Sequence, residues 1–131
     1  MEILSGQHIP RPNNSEKGEV IDPYVEVKVR GHLDDYSNEN NKHETQPVRN
    51  NGFSPSWREK FEFYLTAPEL AFLEFKVKDH SHSNKDLHLG SFSARVEDMQ
   101  EGYRRAYLVD YAGKQLKPAS LFLRIEKKFE K

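Results

Sequence analysis

Tyr24-Val25-Glu26-Val27-Lys28-Val29-Arg30 is the stretch whose reading decides the fold. Three valines fall on one parity and charged or polar groups on the other, the period-two signature of a strand with one buried face. A one-residue slip would turn every valine to water, so the register is strongly specified. The pattern recurs along the chain. Trp57, Phe61, Phe63 and Leu65 share a parity and predict one apolar strand face. Leu73, Phe75 and Val77 follow, then Phe92, Ala94 and Val96. Tyr107 and Val109 are expected to form one face after Arg105, and Leu121, Leu123 and Ile125 close the series. Sustained helical periodicity is missing; residues 97–102 predict a single helical turn. Short alternating strands separated by polar loops give an all-β, antiparallel β-sandwich.

The 131 residues suffice for one domain with a real core, taken as residues 1–131, without an internal repeat. Charged residues are 31% of the chain, yet the formal net charge is −1, which argues against a nucleic-acid partner. There is no cysteine, so disulfides and thiolate metal sites are excluded, in keeping with a cytoplasmic protein. No apolar run approaches the roughly 20 residues that span a bilayer. A membrane partner would be met at its surface. Only Glu2, Ile3 and Leu4 precede the Ser5-Gly6 turn signal, which predicts a first strand cut short and suggests a module of a longer protein. Residues 31–41 read as a long polar connection between two strands.

If the strands run up and down, the loops after odd-numbered strands share one end of the domain. Three polar loops would then converge. The first ends in Ile21-Asp22-Pro23, with a lone carboxylate before the proline that opens a strand. The second is Asn50-Asn51-Gly52-Phe53-Ser54-Pro55-Ser56-Trp57, with two amides ahead of a tryptophan. The third runs from Asp79 through His80, Ser81 and His82 to Asp86, Leu87 and His88. Together they predict an oxygen-rich tip, and function is sought there.

These segments, with Ile3-Leu4-Ser5-Gly6-Gln7-His8-Ile9-Pro10, Gly102-Tyr103-Arg104-Arg105 and Ala119-Ser120-Leu121-Phe122-Leu123, resemble the C2 domain of eukaryotic phosphoinositide-specific phospholipase C. The likeness covers essentially the whole chain. Its specific part is Asn-Asn-Gly-Phe-x-Pro-x-Trp, since Asp-Pro-Tyr-Val is shared by C2 domains of every kind. The resemblance implies an eight-stranded antiparallel Greek-key sandwich. In that family the C2 domain lies near the C-terminal end, packs on a catalytic α/β barrel and helps set the enzyme on the membrane. The barrel hydrolyses phosphatidylinositol 4,5-bisphosphate to diacylglycerol and inositol trisphosphate, and it holds the catalytic histidines and calcium. No catalytic site is expected in these residues.

Calcium takes six to eight oxygens at roughly 2.3–2.6 Å. By resemblance, Asp22, an amide of Asn50 or Asn51, and Asp79 match family ligand positions, with a backbone carbonyl near Val20 or Ile21 as a further oxygen. The third loop departs from the family pattern. Calcium-binding members read Asp-x-Asp there, with another carboxylate downstream; here Ser81 and Leu87 occupy those positions. Asp86, one residue away, would compensate only after a rearrangement. Asp22, Asn51, Asp79 and Asp86 are therefore expected to form a weak or vestigial calcium site. The plainer alternative has Asp22 buttressing the strand turn and Asp79 paired with a neighbouring cation.

His80, His82 and His88 crowd the third loop, but with no cysteine in support they read better as solvated histidines than as a transition-metal site. Their charge near pH 6.5 would make surface attraction pH-dependent. Leu87 is either an exposed apolar tip that enters lipid or the inward start of the next strand. His82 and Leu87 are the expected membrane contacts. Phe53 and Trp57 are assigned to the core. Lys28, Arg30, Arg58 and Lys60 would face outward on neighbouring strands, and Lys127, Lys128 and Lys131 form a basic end, but interleaved glutamates favour a mixed, solvated face. Asp22, His80 and Ser81 lack the surroundings of a catalytic triad.

The expected function is a non-catalytic, cytoplasmic, peripheral-membrane module. It would bind an anionic phospholipid surface with weak or absent calcium dependence and pack on the catalytic barrel of the same polypeptide. The alternative is a purely structural or protein-interaction sandwich that never touches lipid.

Overall fold

The computed structural model describes residues 1–10, 21–33, 41–49, 54–80 and 85–128. Eight strands form one antiparallel, curled sheet: β1 (Glu2–Gln7), β2 (Pro23–Arg30), β3 (Lys42–Glu44), β4 (Ser56–Lys60), β5 (Phe72–Asp79), β6 (Leu87–Arg95), β7 (Gly102–Val109) and β8 (Gln115–Ile125). Their order is β3-β2-β5-β6-β7-β8-β1-β4. Between β6 and β7 the pairing narrows to Ser91 opposite Val109, so the sheet folds there into two four-stranded layers. The neighbours β2/β5 and β8/β1 are the Greek-key crossings.

The core lies between the layers. Val25 opposite Val77, Val27 opposite Phe75 and Val29 opposite Leu73 line one wall, all buried. Ile3, Ala106, Leu108, Leu121, Leu123 and Ile125 line the other. The predicted parities of β2, β5 and β8 are those found.

Three strands differ from the sequence pattern. β1 is six residues long rather than cut short, because a bulge between Ile3 and Ser5 carries it through the turn signal and turns Ile3 and Gly6 inward. β4 stops at Lys60, so Phe61, Phe63 and Leu65 pack on the core from irregular backbone. There the Asn41 side chain takes the place of a partner strand: its Oδ1 accepts the Tyr64 N–H at 3.2 Å and its Nδ2 donates to the Tyr64 carbonyl at 3.1 Å. In β7 the inward residues are Ala106 and Leu108, one position out of phase with the expected Tyr107 and Val109. Tyr107 faces out under the Lys117 ammonium, 4.8 Å from its ring centroid.

The basic quartet is also divided. β2 carries Lys28 and Arg30 in one layer, whereas Arg58 and Lys60 lie on β4, which pairs only with β1 in the other. The expected helical turn is a short 3-10 turn, Val96–Asp98. A second, Pro68–Leu70, precedes β5.

Register fixes which loops share a pole. Glu2 of β1 lies opposite Lys60 of β4 and Arg124 of β8, so β1 ascends while β4 and β8 descend. The connections β1–β2, β3–β4, β5–β6 and β7–β8 therefore meet at one pole, as the alternation implied. At the opposite pole Gly31 leaves β2 with φ +138, and a Cβ on it would sit 2.4 Å from the Leu70 carbonyl oxygen. Gly31→Ala should cost about 1–3 kcal/mol in urea denaturation. Gly113→Ala, in the β7–β8 turn at φ +82 but facing open space, should cost less because it meets only the backbone penalty.

Candidate functional site

Pro23 has no N–H, so the entry to β2 must be secured by its neighbours. Asp79, the last residue of β5, does this: its Oδ1 accepts the Asp22 N–H at 2.9 Å. The His80 N–H donates to the Asp22 carbonyl at 3.0 Å, completing a two-bond clasp. The Pro23 carbonyl accepts two more bonds, from the Val48 N–H at 3.2 Å and from Trp57 Nε1–H at 3.1 Å. The Trp57 bond joins β4 to β2 and so ties one layer to the other beside Asp22. Thr45 exchanges two bonds with Val25, its N–H to the carbonyl and its Oγ1 from the N–H, both 2.9 Å.

The clasp explains why Asp22 and Asp79 lie together. Asp79 has the inward parity of Val77, at the upper end of the core. Leu87, which opens β6, is its cross-strand partner and shares its face. Leu87 begins the strand, and it is 46% exposed at the tip rather than fully inward.

Asp86 goes elsewhere. It lies just before β6 and turns toward the outer face of β2, where Tyr24 sits. Its Oδ2 accepts the Tyr24 hydroxyl at 2.6 Å and lies 3.5 Å from His80 Nδ1. Tyr24 and His80 meet edge to face with centroids 6.2 Å apart. Burial, then the hydrogen bond and charge of Asp86, push the Tyr24 phenol well above its ordinary range, so it remains a donor at any physiological pH. A cleft of about 320 Å³, walled by Tyr24, Glu44, Pro47, His80 and Asp86, opens beside this group. Sequence reasoning singles out neither Tyr24 nor its pairing with Asp86. The one available signal is a tyrosine on the outward parity two residues after Asp22.

A calcium ion would need six to eight oxygens converging on one point. One Asp79 oxygen already holds the Asp22 amide, and Asp86 is bound to Tyr24. Among the described residues no three His, Asp or Glu side chains form a metal-binding group. The described donors therefore do not fit a preformed calcium site. Asn50 and Asn51, expected as amide ligands, lie outside the described residues, as do Val20, Phe53, Ser81 and His82.

Lower on the same outer face the charges alternate. Lys78 Nζ pairs with Glu26 at 2.8 Å, Arg30 and Lys76 share Glu74 at 3.3 and 3.2 Å, and Lys42 meets Glu44 at 3.5 Å. Burial pushes the Glu26 carboxyl up, but the Lys78 hydrogen bond and charge outweigh it and hold it below the usual range. His88 stacks on Tyr111 with centroids 4.1 Å apart. Burial, with Lys76 and Lys78 nearby, holds its imidazole below the usual pKa, so it stays neutral at pH 7. Of the mixed face expected from the sequence, this layer carries Arg30 and Glu26, while Arg58 and Lys60 lie in the other layer.

The sequence matches the C2 domain family over residues 1–109. The chain is a C2 domain. Relatives include the "1-phosphatidylinositol 4,5-bisphosphate phosphodiesterase delta-4" of Xenopus laevis, 34% identical over 94% of this chain. The delta-3 protein of Homo sapiens is 33% identical over 95%, and the delta-1 protein of Rattus norvegicus 34% identical over 94%. This C2 domain spans only 15–16% of the length of these relatives. Among solved structures, L. pealei PLC21 superposes with a TM-score of 0.71 at 26% identity, over 94% of this chain and 14% of its own. A C2 domain of plant extended synaptotagmin 1 gives 0.69 at 16% identity, over 96% of this chain and 93% of its own, a likeness of fold.

If the clasp secures the tip, Asp79→Ala should lower stability by about 1–3 kcal/mol by leaving the Asp22 amide without its acceptor. Asp79→Asn keeps an acceptor oxygen and should lose less. Urea denaturation followed by fluorescence of Trp57, the single tryptophan, checks this; equal losses would show that the oxygen does not matter.

Proposed function

We propose that this C2 domain is a non-catalytic module that brings a phosphoinositide phosphodiesterase to the anionic surface of a membrane, with weak calcium dependence. The observation that carries the reading is Leu87, 46% exposed at the pole where the odd loops meet and directly across from Asp79. An apolar side chain held out by a rigid strand start can enter lipid, and its full transfer contributes about 1.5–3 kcal/mol. Arg49, Lys85 and Lys114, exposed in three loops of the same pole, add attraction of about 1 kcal/mol each near an anionic surface. Asp79 accepts the Asp22 amide and Asp86 accepts the Tyr24 hydroxyl, so part of their charge is offset within the protein.

The parent activity is inferred from the delta phosphodiesterase relatives, and packing on a catalytic barrel of the same polypeptide goes with it. β1 starts and β8 finishes at the pole far from the tip. No helix among the described residues is long and apolar enough to cross a membrane; a cytoplasmic, peripheral role is part of the same proposal.

A second reading, a purely protein-binding sandwich, has one observation in its favour. On the outer face of β7 and β8, Tyr103 is 64% exposed and stacked on Phe122, with Tyr107 and Lys117 nearby. Exposed aromatics with basic neighbours are common at protein interfaces.

Sedimentation with phosphatidylserine vesicles separates the two. The domain should bind in chelator, change little when calcium is added, and bind roughly three- to ten-fold more weakly as Leu87→Ala. No vesicle binding under any ionic condition would retire the membrane reading. A large chelator-reversible increase, abolished by Asp79→Asn, would retire the weak calcium dependence.

A further inference from the structure

We propose that Tyr24 and His80 latch Asp86 onto the outer face of β2, and that this latch withholds from the tip the extra carboxylate a calcium ion would require. The inference deepens the membrane reading and rests on it for its biological sense.

Three observations carry it. First, the clasp and the latch lie on opposite faces of the same sheet. Asp79 follows the inward parity of Val77, whereas Tyr24 shares the outward parity of Glu26 and Lys28. Second, Asp86 immediately precedes Leu87, which pairs with Asp79. Its backbone is thus one residue from the position facing Asp79, and for the carboxylate to serve the tip the Tyr24 bond would have to open. Third, that bond is strong of its kind. The Tyr24 residue is 7% exposed, and its hydroxyl donates to an ionised carboxylate at 2.6 Å, in the short range of charge-assisted bonds. His80 Nδ1 lies 3.5 Å from the same Oδ2 and pairs with it when the imidazole is protonated. A calcium ion that recruits Asp86 must break the Tyr24 bond.

Calorimetric titration with calcium tests the latch on the wild type, Tyr24→Phe, Asp86→Asn and the double variant. Phe keeps the buried ring and removes only the hydroxyl. Tyr24→Phe should raise calcium affinity roughly ten-fold, the equivalent of one hydrogen bond to a charged group. Asp86→Asn should give no increase, alone or combined with Tyr24→Phe. An unchanged affinity in Tyr24→Phe, or a gain that survives Asp86→Asn, overturns the proposal. A second measurement needs no variant: in the wild type the Asp86 carboxylate carbon resonance should stay fixed as calcium reaches millimolar levels, and its movement would also overturn the latch. Vesicle binding is read separately. A Tyr24→Phe domain that gains calcium affinity but never sediments with lipid keeps the latch and retires the membrane reading.

Discussion

The Asp79 carboxylate oxygen that holds the Asp22 amide is the constraint on which the tip depends. Proline at position 23 fixes the backbone angle at the start of β2 but offers no hydrogen to tie it down. The end of β5 supplies the tie, and the His80 N–H returns it to the Asp22 carbonyl. From that point Pro23 presents its carbonyl to Trp57 and Val48, which lock the second layer and the β3–β4 connection against the first. The core below sets how the two layers pack; the clasp sets where the upper ends of the strands stop.

That arrangement has an electrostatic consequence. Carboxylates gathered at one pole would normally repel an anionic surface or demand a cation between them. Here the Asp22 amide donates to Asp79 and the Tyr24 phenol donates to Asp86, with the His80 imidazole close to the same Asp86 oxygen. The pole presents Leu87 and the exposed Arg49, Lys85 and Lys114 outward.

Much of the fold is legible because the runs Val25-Val27-Val29, Leu73-Phe75-Val77 and Leu121-Leu123-Ile125 each hold one parity, against charged neighbours such as Glu26, Lys28, Glu74, Lys76 and Arg124, so one register buries each run. β7 misleads because Ala106, Tyr107, Leu108 and Val109 are apolar on both parities. Small Ala106 and Leu108 take the interior, and the Tyr107 phenol stays outward. β4 invites overextension because alternation continues through Leu65, while the Asn41 amide, 23 positions away, satisfies the backbone instead of a strand. At the site, Asp22 and Asp79 are visible from their places at strand ends. The bond from Tyr24 to Asp86 spans 62 positions and joins an outward strand residue to a loop acid, so no local pattern announces it.

In the proposed function this pole, and not the opposite one, meets the membrane. The chain has no cysteine, so a polarity-sensitive fluorophore can be placed at Leu87→Cys alone, or at Leu70→Cys in the exposed turn of the far pole. On anionic vesicles in chelator, the label at position 87 should shift to the blue while that at position 70 stays unchanged. A silent label at 87, or a blue shift at 70 in its place, would exclude membrane contact through this pole.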